Sequence, residues 1–458
     1  MSHARKGIAV SCWCMALLPC FAMGQAGPSP GQLPGTMREP MVDPVRVRVG
    51  HADEKPSEDV TTAGYDLLGR DNLVIQAAVD YAAALDAGPA ERVVEIGPGT
   101  FLMHDSIHLR SHVTVRGSPG KTVLVKAPAA TSRLLVDGDF GEQQVTLADP
   151  AGFGVGHGVA IWDDAVKHFH VTVARITGRS GSTIAIDLPL RGDCLVKRAA
   201  TASTVFPVVS GCDIEAACIA DLEIDGSRDK NPLLDGCRGG GIYLCRAHGT
   251  TIRGCTVRRY SGDGVSYQQS NDVTVVDTVC IDNAGHGFHP GSGSQRTVMR
   301  GCRSERNGED GMFVCWRVKH GTFEDNVFLG NARNGISIGH KDTDNLLRSN
   351  VVRENASDGI LFREELPGMG GDRNRIESNT IEDNGAAGIR IRGPTSDNRL
   401  IGNIIRESRQ GEGRRQTIGV AIEAASGDNQ LERNRIDADE PVRDDRRADP
   451  APLPTGRR

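Results

Sequence analysis

Aromatic residues are scarce, 4% of a 458-residue chain with three Trp and five Tyr. With 56 glycines alongside, that poverty argues against a helical bundle, while the spread of Val, Ile and Leu argues against disorder. A basic field is missing too. The net charge is -6, and Lys and Arg are scattered among Asp and Glu, which speaks against nucleic acid as a partner. No apolar run reaches the ~20 residues that a membrane span needs. The stretch Gly7 to Met23, preceded by Arg5 and Lys6 and interrupted by Pro19, instead reads as a secretory signal peptide over residues 1–26, which predicts a secreted or periplasmic protein. Cys20 after Leu17-Leu18-Pro19 is a poor lipoprotein site. The cysteines beyond the leader lack regular spacing: nine remain from Cys194 to Cys315, an odd number without a CxxC pair, so neither a disulfide scaffold nor a thiolate metal site is marked.

What is present is a repeat. A Gly followed by an apolar residue recurs at Gly241, Gly264, Gly287, Gly311, Gly335 and Gly359, in steps of 23, 23, 24, 24 and 24 residues, and then at Gly388 and Gly419 after insertions. A period in this range means stacked supersecondary units. A second column runs through Cys255, Thr278, Cys302, Asn326, Asn350, Asn379, Asn403 and Asn434, and a third through Asn283, Asn307, Asn331, Asn355 and Asn384. Stacked coils set like residues about 4.8 Å apart, so these Asn are expected to bond along the stack, with Cys255, Cys280 and Cys302 as small core residues.

The pattern G-[IVFM]-x-[IVF]…N…N-x-x-x-G, preceded by Asp71 to Ala78 and Val93 to Phe101, resembles the right-handed parallel β-helix proteins of the pectate lyase-like superfamily. That resemblance implies an all-β solenoid over residues 59–437, capped by an amphipathic helix from Asp71 to about Leu85 and carrying a small β insertion at 136–205. Residues 27–58 read as a mobile linker and 438–458 as a disordered tail. The architecture hosts lyases, hydrolases, epimerases and phage spikes, so it implies carbohydrate chemistry without choosing among them.

In the strand after each repeat glycine, residues two and four beyond it are expected to point outward. They include Tyr243, His289, Phe313, Arg363, Arg390, Arg392 and Glu423. Just past the strand, Trp316, His340 and Glu364 fall in one column, with Arg317, Lys341 and Glu365 beside them. A strip of aromatic, imidazole, cationic and acidic groups is what binding and cutting an acidic sugar chain requires. Within the resemblance, His286 to His289 and Asn334 to His340 are similar to the strands that carry active-site residues in polygalacturonases and alginate epimerases. His289-Pro290-Gly291 departs from the Asp-Pro-His of the epimerases, and only Glu309-Asp310 is similar to the acidic pair of the hydrolases.

The expected function is therefore a lyase or C5-epimerase acting on a uronate-containing polysaccharide. His289 or His340 is the expected base, and Arg317, Lys319, Lys341 and Arg363 hold the substrate carboxylate, with Trp316, Gln268 and Tyr243 as further binding residues. Inverting hydrolysis is the first alternative, needing two carboxyls roughly 6.5–9.5 Å apart; Asp310 with Asp263 or Asp358 would supply them, with Glu364 in reserve. A non-catalytic glycan-binding surface protein is the second. The Asp of Asp344-Asn345, Asp397-Asn398 and Asp428-Asn429 recur in phase and read as turn residues. His168 and His170, near Asp163 and Asp164, read as a polar strand face rather than metal ligands. No cofactor is marked, Ca2+ at surface carboxylates stays open without a location, and the oligomeric state is not legible.

Overall fold

The computed structural model describes residues 44–53, 64–85 and 91–447; the expected signal peptide lies outside them. Each 23- or 24-residue period folds into one coil of three short strands, because turn residues break the chain in fixed phase and inward apolar side chains alternate with outward polar ones. Stacking produces a right-handed parallel β-helix with three long sheets of 13, 11 and 11 strands. Register is strict: Val265, Phe288, Met312, Ile336, Ile360 and Ile389 follow one another from coil to coil, and all are fully buried. A one-residue slip would turn that whole row outward.

The turns are held by Asn ladders. Nδ2 of Asn307 donates to Oδ1 of Asn331 at 3.0 Å, and Asn331 repeats this to Asn355 at 2.9 Å. Asn326, Asn350, Asn379, Asn403 and Asn434 form a second ladder. A third, from Asn345 through Asn374 and Asn398 to Asn429, satisfies the remaining turn. Each Oδ1 also accepts a backbone N–H of the preceding coil, as Asn355 does from Asn331, so the ladder amides satisfy buried backbone donors at the turns.

The helix Asn72–Ala84 is capped by Asp71, whose carboxylate accepts the N–H of Leu73, and it buries Ile75, Ala78, Val79 and Ala82 against the first coils. Two expected boundaries are corrected. Val45–His51, placed in the linker, is a strand paired with Arg92–Ile96. Glu440–Asp444, placed in the tail, pairs with Ile418–Ile422; residues 448–458 lie outside the described part. The excursion is a six-stranded antiparallel sheet between Thr131 and Ser203 with its own core. No helix among the described residues is long and apolar enough to cross a membrane.

Candidate functional site

The strands that follow the repeat glycines form one 11-stranded sheet. Its outward positions carry Ser266 and His289 on neighbouring coils, in register, with Phe313 next. The orientation expected from alternation holds, but exposure does not. The loop between the 3-10 turn Arg228–Lys230 and the strand Ile242–His248 folds over this part of the sheet and covers it. Gly236 in that loop is the closest approach: a Cβ there would lie 1.7 Å from Oδ2 of Asp263 and 2.7 Å from Nδ1 of His289. Only glycine lets the loop lie on this pair.

Beneath the loop, Nδ1 of His289 is 2.7 Å from Oδ2 of Asp263, and both side chains are buried. Burial alone would lower the imidazole pKa, but the Asp263 carboxylate and the Cys315 thiol hold it up to about 10. Burial would likewise raise Asp263, yet His286 and His289 keep it below the usual carboxylate range. Nε2 of His289 has no conventional hydrogen-bond partner; the Cys315 thiol is the neighbour that acts on the ring. Beside this dyad, Nδ1 of His286 accepts the N–H of Asp310 at 3.1 Å, which leaves its Nε2 proton for Glu309 at 3.0 Å. That contact holds Glu309 ionised below its usual value. His286 stacks on Phe313 at 4.5 Å. Together these groups line a cavity of about 380 Å3 that Trp316 and Phe169 also border.

A second, open cluster lies further along the sheet. Trp316 is 48% exposed and stacks on His340 at 4.8 Å. Glu365 fixes His340 by accepting its backbone N–H at 2.9 Å and meeting Nδ1 at 3.2 Å. Arg317 reaches over the Trp316 ring at 5.8 Å. His340 is two coils and three residues from His289 in register, which at about 4.8 Å per strand and about 3.3 Å per residue is roughly 14 Å. The two histidines therefore cannot serve one bond. Positive φ at Trp316 is not a sign of function, because Gln269 and Ser292 share it in the same column, nor is it at Arg317 and Lys341, whose column Gly293 shares; it is the geometry of the turn.

Several expected site residues are corrected. Gln268 and Tyr243 are buried, Gln268 donating to Ser266 and Tyr243 to the Cys237 carbonyl, so neither presents a face to a sugar. Asp310 is buried and its Oδ1 accepts the backbone N–H and side-chain amide of Asn334, a turn role that leaves it no catalytic one. Asp358 likewise accepts from Ala387 and pairs with Arg390. Glu364 is tied to Arg392 at 2.9 Å, away from the cavity. Arg363 is mostly covered: it lies over Phe313 at 4.3 Å and bonds Ser337, the Val314 carbonyl and Asp342, so its charge is spent inside the protein. Beneath it, burial pushes Asp342 up to about 6 against the pull of Arg363. Arg317, Lys319 and Lys341 keep accessible positions. His168 and His170 form a 3-10 turn, not a strand, and Asp163 is engaged by Arg198 at 2.6 Å.

Sequence reasoning missed Cys315, Gly236 and Cys237. Cys315 interrupts its column with a thiol where Gly291 stands one coil earlier, a departure from the repeat that marks it; the loop residues carry no periodic signal.

Comparisons with known proteins agree with this geometry at the level of fold. A family model described as "Periplasmic copper-binding protein (NosD)" matches residues 221–416. Among solved structures, the A-module of the mannuronan C-5 epimerase AlgE4 of Azotobacter vinelandii superposes with a TM-score of 0.51 at 17% identity, over 82% of this chain and 93% of that one. ORF18 of Geobacillus virus E2 gives 0.50 at 13%, over 80% of this chain and 59% of the viral one. No curated protein sequence matches.

Proposed function

We propose that the protein acts on a uronate-containing polysaccharide by acid–base chemistry, as a lyase or C5-epimerase, with the reacting sugar in the His289 cavity. The buried Asp263–His289 pair carries this reading. Removing the proton next to a carboxylate requires that the carboxylate's charge be met in the transition state. With its pKa raised to about 10 by Asp263 and Cys315, His289 is in this reading a charged donor held among buried groups, where such a donor is worth more than in water. Its role is therefore donor rather than base. Glu309, oriented by His286 and facing the same cavity, is the group that takes the proton. Trp316, His340, Arg317, Lys319 and Lys341 form the neighbouring subsite, where an aromatic face and accessible cations suit an acidic chain.

Inverting hydrolysis loses ground because the carboxyls expected to serve it are engaged: Asp310 and Asp358 in turns and Asp263 in the dyad. The likeness to a mannuronan epimerase module supports the substrate class by analogy of fold. Among the described residues, the mixed donor set that could meet the metal in the name of the matching family model is His168, Asp235 and Cys237.

The test incubates the mature protein with pectic, alginate and glycosaminoglycan chains. It follows unsaturated-uronate absorbance, new reducing ends and deuterium uptake at C5 in D2O. Absorbance with reducing ends means a lyase, and deuterium uptake without chain cleavage means an epimerase. Reducing ends without absorbance, or binding without any of these, would overturn the proposal.

A further inference from the structure

His168, Asp235 and Cys237 bring three kinds of ligating atom together at the rim of the cavity, all within 4.8 Å of one another. Nδ1 of His168 is 3.0 Å from Oδ2 of Asp235. The residues come from different parts of the fold. His168 opens the 3-10 turn of the antiparallel excursion, while Asp235 and Cys237 flank Gly236 in the loop that covers the dyad. The loop is held ready: Oδ1 of Asp235 accepts the N–H of Cys237 at 2.8 Å, which leaves Oδ2 turned to His168. Arg238 donates to the Val171 carbonyl at 3.2 Å, tying loop to excursion. His168 sits at φ +53°, a left-handed conformation that costs a residue with a Cβ and that the surroundings must impose.

The electrostatics of the cavity give such a cluster a purpose. Asp235, Asp263 and Glu309 line it, and no Lys or Arg is among its lining residues. Its basic side chains are imidazoles, each beside one carboxylate: His168 by Asp235, His289 by Asp263 and His286 by Glu309.

We propose that His168, Asp235 and Cys237 bind a divalent cation of the borderline class, Zn2+, through one imidazole nitrogen, one carboxylate oxygen and one thiolate, with a further coordination position open to the cavity. Three protein ligands and one open position is the pattern of a zinc site that meets a ligand, whereas structural sites close with four. A copper site of the electron-transfer type would ask for a second imidazole beside the thiolate, and the nearby His286 and His289 are engaged by Glu309 and Asp263. Binding transfers no electrons: the Cys237 thiol releases its proton to solvent, and the thiolate–metal bond replaces the S–H bond. Bound there, the cation would staple the excursion to the solenoid and offset the carboxylates. That it also receives the substrate's carboxylate rests on the uronate reading; the binding itself does not.

The full-length protein, stripped with a chelator and kept anaerobic, is titrated with Co2+. The expected result is one equivalent bound, with a near-ultraviolet thiolate-to-cobalt charge-transfer band that one equivalent of Zn2+ abolishes. C237S loses the band, and H168A and D235N weaken binding at least about 100-fold, more than loss of an outer-shell partner costs, with unchanged circular dichroism. Absence of the band, its persistence in C237S, or Cu+ binding lost in C237S that Zn2+ does not displace would each overturn the zinc site. Binding as expected in a protein inactive on every uronate chain would sink the functional reading alone. Activity untouched by stripping would remove the cation's substrate role.

Discussion

Nδ1 of His289 stands 2.7 Å from Oδ2 of Asp263 on the preceding coil, and both side chains are buried. The pair is thus a fixed charge relationship inside a β-sheet solenoid, and its titration is tied to folding. The imidazole is raised above its ordinary 6.5 to about 10. Its stabilisation is complete below about pH 6.5 and is lost as pH climbs toward about 10. Asp263 is depressed below 3.8, so its share is present above that value and lost as pH falls through its folded pKa. Denaturant titrations across pH are expected to show an alkaline decline that His289→Asn flattens; an identical decline in the variant would show that the dyad does not carry it.

Catalysis should depend on the same pair. His289→Ala and Glu309→Gln are expected to lower turnover of a responsive polysaccharide by about 10²–10⁴-fold, the range for a general acid or base, with circular dichroism unchanged. A loss under tenfold in both would place the chemistry elsewhere, the His340 cluster being next.

Trp316→Ala and His340→Ala belong to the neighbouring subsite and should weaken chain binding with a smaller effect on turnover. About tenfold in KM is the expected scale for one aromatic platform, ~1.4 kcal/mol. An equal fall in kcat and kcat/KM would instead move His340 into the reacting site.

Gly236→Ala probes the covering loop. The added methyl would enter the space of Asp263 and His289, so the loop must lift. The expected outcome is loss of activity with the solenoid's melting transition within a few degrees of the parent. Hydrogen exchange should rise in 231–241 alone, and protection unchanged there would contradict the close approach.

Asn331→Ala removes a rung whose Oδ1 accepts the N–H of Asn307 and the amide of the same residue, and whose Nδ2 donates to Asn355. Leaving buried donors unpaired costs about 1–3 kcal/mol, read as a shifted urea midpoint at constant slope. Asn434→Ala, at the end of its ladder and partly exposed, should cost less.

The solenoid is legible in the repeat. Coil length, inward rows such as Val265, Phe288 and Met312, and the Asn columns all follow from patterns within one or two periods of the chain, and a repeat makes each pattern vote many times. The sequence also assigned His289, Trp316 and His340 to the sheet that follows the repeat glycines and to the turns just past it, because alternation is local. What it could not decide is which of those outward residues meet solvent. That is set by segments far apart along the chain, the 231–241 loop and the excursion bearing His168, which fold onto the sheet and turn Tyr243, Gln268 and His289 into buried groups. Arg363 and Asp310 are engaged for the same reason: on other coils Asp342 pairs with Arg363 and Asn334 donates to Asp310, and alternation assigns a side chain its face but not its partner. The close approach at Gly236 and the meeting of His168 with Asp235 and Cys237 have no periodicity at all. They exist only because the aperiodic parts of the chain pack against the periodic one, and tertiary packing alone decides that.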